Sequence, residues 1–265
     1  MSESSWQRLV VKVGTSTLVD PAGHIKYPVI NRLAQTLSSL QQNGHHVILV
    51  TSGAVGIALE QMSLSQRPSS IPHQQALAAL GQGYLMSIYN QSFAFYHQLT
   101  GQVLLTYDVF DNPKMRHNMI NALETMLAQH IIPVINENDV IAVDEMDHRH
   151  SFGDNDKLAA MVAQEVNADG LIVLSDVDAL YTSNPALNAD AKPIHRVYEI
   201  TDDIRCSATG STSNFGTGGM ATKLAAAEIM LLNHSKMVLI NGDNPALILD
   251  VVKGKQIGTL FEEEK

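Results

Sequence analysis

The chain of 265 residues carries a single cysteine, Cys206, which excludes an internal disulfide and suits a reducing compartment. Cys206 reads as a bystander thiol rather than a nucleophile. No run of 18 apolar residues occurs, so the sequence offers no membrane span. Met1 to Trp6 has neither the basic nor the apolar region of a signal peptide, and a cytoplasmic protein is expected. Positive charge is also scarce. Lys and Arg number 17 against 27 Asp and Glu, a formal net charge of −10, which argues against general binding to nucleic acid or an anionic membrane. Anionic small molecules remain open wherever a few lysines gather locally. The 11 histidines are scattered. His148-Arg149-His150 reads as a solvated loop, and no pair has the His-Glu-x-x-His spacing of a helical metal site.

What is present is hydrophobic content of 45%, enough to bury a sizeable core as one large α/β domain. Short apolar runs alternate with helical patterns. Strands are expected at Leu9 to Val13, Val47 to Val50, Val103 to Thr106, Ile131 to Ile135, Leu171 to Leu174 and Met237 to Ile240. Between them lie helical patterns: a stripe from Val29 to Leu40 closed by Asn43-Gly44, a helix after Ser52-Gly53, then Gln74 to Tyr96, Met115 to Gln129, Asp154 to Val166 and Ala221 to Leu232. Continuous apolar strands separated by helices predict a three-layer αβα sandwich around a mainly parallel sheet. Ser65 to Pro72 and Ser183 to Pro193 read as long loops or small lobes, and Thr209 to Gly219 as a lid. No internal repeat or low-complexity tail interrupts the pattern.

The most informative stretch is Gly216-Thr217-Gly218-Gly219-Met220-Ala221-Thr222-Lys223. Glycines let backbone amides crowd toward a ligand, and a helix N-terminus favours negative charge. Lys223, in the first turn of the following helix, opposes the macrodipole unless an anion docks beside it. The segment therefore reads as a phosphate site. A P-loop is excluded because Ala221-Thr222 precede the lysine where that motif needs glycine. A dinucleotide fingerprint is excluded because Ser207 to Phe215 cannot supply the buried strand before it. A flexible surface loop with a helix cap is the plainer alternative.

In sheets of this kind ligands bind beyond the C-terminal ends of the strands, and unusual polar residues fall there. Lys12 interrupts the first apolar strand and must be paired or snorkel to the mouth of the sheet. Thr51-Ser52-Gly53-Ala54 offers hydroxyls and free amides to a carboxylate or phosphate, or is an ordinary serine cap. Asn136-Glu137-Asn138-Asp139 follows directly on a buried strand, more polar residues than a turn requires. Asp154 reads as a helix N-cap, while Asn155 and Asp156 are surplus to capping and free to orient a substrate amine, Mg²⁺ or catalytic lysines. Ser175-Asp176 ends another strand and, with Tyr181, could frame a nucleotide.

Taken in order, Val10-Val11-Lys12-Val13-Gly14-Thr15, Val50-Thr51-Ser52-Gly53-Ala54, Pro133 to Asp139, Gly153 to Asp156 and Gly216 to Lys223 resemble the amino acid kinase family, and within it the members that phosphorylate glutamate. The matches run from the first strand nearly to the end. The resemblance implies ATP-dependent phosphorylation of the γ-carboxylate of L-glutamate to L-glutamyl 5-phosphate, the first step of proline biosynthesis, with feedback inhibition by proline. It implies catalytic roles for Lys12, Asp156 and Lys223, and glutamate binding by Ser52, Asn136, Asp139 and Asn155. ATP would be bound by Lys12, Ser175, Asp176, Thr217, Gly218, Gly219, Met220, Ala221, Thr222 and Lys223. Mg²⁺ would arrive with ATP, without a direct protein ligand. The implied layout is a single kinase domain over 1–265, amino-acid-binding in its N-terminal part and nucleotide-binding from about residue 170. The chain stops after Gly258 to Phe261, where such a domain would end, so no PUA domain is expected. A homo-oligomer (dimer or tetramer) and glutamyl-5-phosphate reductase are the implied protein partners. Val177-Asp178-Ala179 departs from the family's usual residues, and no role is carried to it. A sibling kinase acting on aspartate, acetylglutamate or a nucleoside monophosphate stays open, as does a catalytically silent sensor.

Chemistry alone points the same way. Phosphoryl transfer depends on positioning and on neutralising charge at the phosphoryl oxygens. A γ-carboxylate is already ionised at neutral pH, with a reference pKa of about 4.3, so no general base is required.

Overall fold

Runs such as Leu9-Val10-Val11 and Val47-Ile48-Leu49-Val50 are buried on both faces, which is the pattern of strands covered by helices above and below. A computed structural model describes residues 6–142, 155–185, 187–208 and 219–264. The first half runs β1 (Arg8–Val13), α1 (Thr15–Leu18), α2 (Tyr27–Gln42), β2 (His46–Thr51), α3 (Ala54–Gln61), α4 (Ile71–Ala94), β3 (Thr100–Leu105), α5 (Asp108–Asp111), α6 (Pro113–Ala128) and β4 (Ile132–Glu137). There follow α7 (Asn155–Glu165), β5 (Gly170–Ser175), β6 (Leu180–Tyr181), β7 (Pro193–Ile194), β8 (Arg196–Val197) and α8 (Asp202–Ala208). The chain continues with α9 (Met220–Leu232), β9 (Lys236–Asn241), α10 (Leu247–Val252) and β10 (Thr259–Phe261).

Eight strands form one sheet in the order β3-β4-β2-β1-β5-β9-β10-β8. Pairing is parallel except between β10 and β9. Side chains alternate between two cores. Val10, Ile48, Val50, Leu171 and Val173 face Leu123, Leu158 and Leu224 of α6, α7 and α9. Leu9, Val11, Val13, Leu49 and Ile172 face Leu33, Leu37, Leu85 and Ile248 of α2, α4 and α10. The expected three-layer αβα sandwich is present. Among the described residues no helix is long and apolar enough to cross a membrane.

Several boundaries differ from the sequence expectation. The strand expected to end at Ile135 continues through Asn136 and Glu137, both buried. The residues taken as leaving the strand are thus partly inside it, held by pairing to Leu104 and Leu105. The long helix begins at Ile71, inside the expected Ser65 to Pro72 loop, because Pro72 is well tolerated in a first turn. Within the second expected loop, Pro193-Ile194 pairs with Leu180-Tyr181 in a small separate sheet. These two-residue strands are too short to carry a periodic signal.

The register places the functional ends side by side. Lys12 lies opposite Val50 of β2 and Val173 of β5, and Val13 opposite Thr51 and Leu174. Beyond β2 the chain turns through Gly53 at φ +96°, a left-handed conformation suited to glycine. The N-terminus of α3 is then crossed closely by α4 at Gly81, where an added Cβ would stand 1.8 Å from the Ala54 carbonyl oxygen. Gly81→Ala is therefore expected to destabilise the fold by about 1–3 kcal/mol, the usual cost of forcing atoms into a packed crossing. Denaturant unfolding measures it, and an unchanged midpoint would show that the crossing is looser than described.

Candidate active site

The alternation that sends Val11 and Val13 to one face sends Lys12 to the other, against α7, so its ammonium is delivered to the first turn of that helix. Asp156 stands there, fully buried, its carboxylate in favourable register with the helix dipole. Lys12 Nζ lies 2.5 Å from Asp156 Oδ1, and Lys223 Nζ, from the start of α9, lies 3.4 Å from Oδ2. The Thr222 hydroxyl donates to the same Oδ2 at 2.8 Å. Both lysines are buried, at 5% and 6% exposure. Burial alone would raise the Asp156 carboxyl, but the two ammonium groups and the Thr222 hydroxyl outweigh it and hold the group well below the usual carboxylate range. The three side chains together carry a charge of +1. Positive charge gathered at a helix N-terminus favours an anion, as a polyphosphate would be.

A second cluster lies at the ends of β2 and β4. Asn155, on α7 beside Asp156, directs its Nδ2 to the Thr51 carbonyl at 2.6 Å, to Asn136 Oδ1 at 2.7 Å and to Ser52 Oγ at 3.0 Å. Asn136 Oδ1 also accepts from the Glu137 amide, and its Nδ2 donates to Gln82 Oε1 at 2.8 Å. Ser52, Asn136, Asp139 and Asn155 all line a cleft of about 870 Å³, with Gly53 to Gly56 of the α3 N-terminus on one wall and Ser63 to Arg67 at its rim. Burial pushes the Asp139 carboxyl up to about 6, against a smaller opposing pull from the Arg67 guanidinium. Its Oδ1 is buried and without a hydrogen-bond partner among the described residues.

The structure thus brings Lys12, Asp156 and Lys223 together, and separately brings together Ser52, Asn136, Asp139 and Asn155, with adjacent Asn155 and Asp156 joining the two groups. On the remaining side, Ser175 is buried at the end of β5 and donates to the exposed Asp176. Gly219 caps α9, Ala221 is exposed, and Met220 sends its side chain into the core, leaving only its backbone for a ligand. Thr217 and Gly218 lie outside the described residues, as do Asp154, the expected cap of α7, and His148 to His150. Among the described residues no group of three or more His, Cys, Asp or Glu side chains could hold a metal ion.

Sequence reasoning missed Gln82 and Arg67. Gln82 is a buried amide on the inward stripe Leu77, Ala78, Gly81 and Leu85 of α4. That stripe was legible, and a glutamine on it was the signal available. Arg67 gave no signal, since only the fold brings it near Asp139.

A parallel αβα sheet whose strand ends gather a buried lysine pair on one carboxylate, next to a polar cleft, defines a phosphoryl-transfer class of site. The amino acid kinase family model matches residues 7–241, and the chain belongs to that family. It is 58% identical over 263 residues to the glutamate 5-kinase of Oenococcus oeni, covering 99% of this chain and 98% of that protein. With the glutamate 5-kinase of Ligilactobacillus salivarius it shares 52% over 258 residues, 97% of each chain. Among solved structures it resembles Giardia lamblia carbamate kinase bound to AMP-PNP, with a TM-score of 0.69 at 14% identity over 98% of this chain and 100% of that one. Bacillus anthracis UMP kinase matches with a TM-score of 0.65 at 18% identity over 98% and 97%. These two likenesses establish the fold alone.

The charged trio also predicts an acid response. With its folded pKa depressed, Asp156 stabilises the protein above its unfolded value of about 3.9 and loses that contribution as pH falls toward the folded value. Asp156→Asn removes the carboxylate that Lys12 and Lys223 share and should cost about 3–5 kcal/mol at pH 7. Its melting temperature should also fall less steeply than the wild type's between pH 5 and 3. Parallel acid limbs in thermal scans would contradict the pairing.

Proposed function

We propose that the protein transfers the γ-phosphoryl group of ATP to the γ-carboxylate of L-glutamate, giving L-glutamyl 5-phosphate and ADP, as the first step of proline biosynthesis. The observation that carries this reading is the buried Lys12–Asp156–Lys223 trio next to the amide-lined cleft. Near-full-length similarity to glutamate 5-kinases supplies the substrate.

In this mechanism Asp156 is not a base. It orients two ammonium groups toward the phosphoryl oxygens, where charge must be held during transfer. The carboxylate of glutamate attacks phosphorus directly, and the bond from phosphorus to the bridging oxygen of ADP breaks, with no proton to remove. Asp139 and Asn155 hold the substrate ammonium, and the Ser52 hydroxyl with the amides at the α3 N-terminus holds a carboxylate. Asn136 fixes Asn155. Ser175, Asp176 and the Thr217 to Lys223 segment bind ATP, which makes the chain from about residue 170 the nucleotide side and the part before it the amino-acid side. Mg²⁺ would come with ATP and would share with Lys12 and Lys223 the neutralisation of the phosphate charge.

Proline presents the same α-amino-carboxylate half without a γ-carboxylate, so it occupies the glutamate subsite as an inhibitor, with Ser65 to Pro72 as the adapting loop. We further read the protein as a cytoplasmic homo-oligomer, dimer or tetramer, that hands its product to glutamyl-5-phosphate reductase. An ADP-release panel with ATP·Mg²⁺ tests the assignment. Glutamate should drive turnover, while aspartate, acetylglutamate and UMP should not. Proline should lower the rate, and excess glutamate should restore it. Turnover with another member of the panel alone would replace the assignment, and no turnover with any would favour a sensor.

Two variants separate the halves of the site. Lys223→Ala should lower kcat by about 10²-fold or more with little change in glutamate KM, because its charge matters most in the transition state. Near-wild-type turnover would remove it from the mechanism. Asp139 binds the substrate ammonium only when ionised, so glutamate KM should fall as pH rises from 5 to 7, with its inflection near the Asp139 value of about 6. Asp139→Ala should raise that KM strongly, abolish the inflection and leave the ATP KM unmoved. A rise in ATP KM instead would overturn the division into two subsites.

A further inference from the structure

The amides of Gln82, Asn136 and Asn155 form a chain whose polarity is fixed from both ends by backbone groups. The Glu137 N–H can only donate, so the atom of Asn136 that faces it at 2.9 Å must be Oδ1. The Thr51 carbonyl can only accept, so Asn155 must present Nδ2 to it. Asn136 then offers Nδ2 on its other side, and the acceptor there is Gln82 Oε1 at 2.8 Å. Gln82 belongs to a different element, α4, and is nine-tenths buried. Among the described residues its own Nε2 has no hydrogen-bond partner, so its hydrogen bond to this chain of amides is the acceptor one.

We propose that Gln82 is a positioning residue which, through Asn136, reinforces the direction of the Asn155 amide and thereby the affinity of the cleft for glutamate. The inference rests on the glutamate-kinase reading given above. With Nδ2 of Asn155 turned toward Thr51, Ser52 and Asn136, its Oδ1 remains as a buried acceptor without a partner among the described residues, the polarity that suits a substrate ammonium. Ser52 Oγ faces the same Nδ2 at 3.0 Å, a group that cannot accept, so the hydroxyl hydrogen is left to donate to a carboxylate in the cleft. Reversing the Asn155 amide would turn both preferences around. The Gln82 acceptor opposes that reversal because, without it, a buried Asn136 N–H loses its partner.

The test compares Gln82→Met, which keeps the length of the side chain but removes the acceptor, with Gln82→Glu, which keeps an acceptor oxygen whether or not it is protonated. Gln82→Met should raise the glutamate KM by about tenfold, the effect of one buried donor left unpaired, with ATP KM and kcat within about threefold of wild type. Gln82→Glu should restore the glutamate KM. An independent readout is the exchange of the Asn155 side-chain amide protons by NMR, slow in wild type and Gln82→Glu and fast in Gln82→Met. If the methionine variant does not fold, Gln82→Ala replaces it. An unchanged KM with unchanged exchange, a joint loss of kcat and both KM values, or failure of the glutamate variant to rescue would each overturn the proposal. Wild type without glutamate turnover would instead defeat the functional reading, and the exchange measurement would then decide the amide relay by itself.

Discussion

One fully buried carboxylate, Asp156, joins the two halves of this molecule. A strand residue, Lys12, and a helix residue, Lys223, are 211 positions apart and meet only because both are drawn to its two oxygens. Two lysines of a chain with net charge −10 are thereby kept in the interior. Buried ammonium groups need such a partner. Two cations gathered on one carboxylate at a helix N-terminus are also the arrangement that suits an incoming anion.

Around this centre the fold works as a positioning frame. Parallel pairing aligns the ends of β1, β2 and β5, and the close crossing of α4 over α3 sets the start of α3 against the cleft. The amide cluster then divides labour with the lysines. In the proposed mechanism the amides and Asp139 recognise a zwitterion by direction and charge, and the lysines the group in transit. Adjacent Asn155 and Asp156, in the first turn of α7, belong one to each set, so a shift of that turn would disturb binding and chemistry together.

Much of this was legible in the sequence. The strands from Leu9, Val47 and Leu171 are uninterrupted apolar runs, and runs of that kind have few alternatives to a covered parallel sheet. Lys12 announced itself by breaking such a run, and Lys223 by sitting where a helix dipole disfavours it. Less legible were features that depend on distant partners. Asn136 and Glu137 read as lying just beyond the strand because polarity was taken to end it, yet pairing with β3 carries the strand through them. A glutamine on the inward stripe of α4 was visible, but that Asn136 is the residue it accepts from depends on a second element. The short strands β6 to β8 and the antiparallel β10 are too brief for periodicity to register.

The central claim is that Lys12 and Lys223 hold the phosphoryl group in flight while the cleft holds glutamate in line with it. A crystal structure with ADP, Mg²⁺, a planar metal-fluoride mimic of the phosphoryl group and L-glutamate tests it most directly. The account predicts both ammonium groups within hydrogen-bond reach of the fluorides, at about 3 Å, with the substrate ammonium on Asp139 and Asn155 and the γ-carboxylate facing the mimic. A mimic seated away from the two lysines, or glutamate bound with its ammonium directed elsewhere, would contradict it.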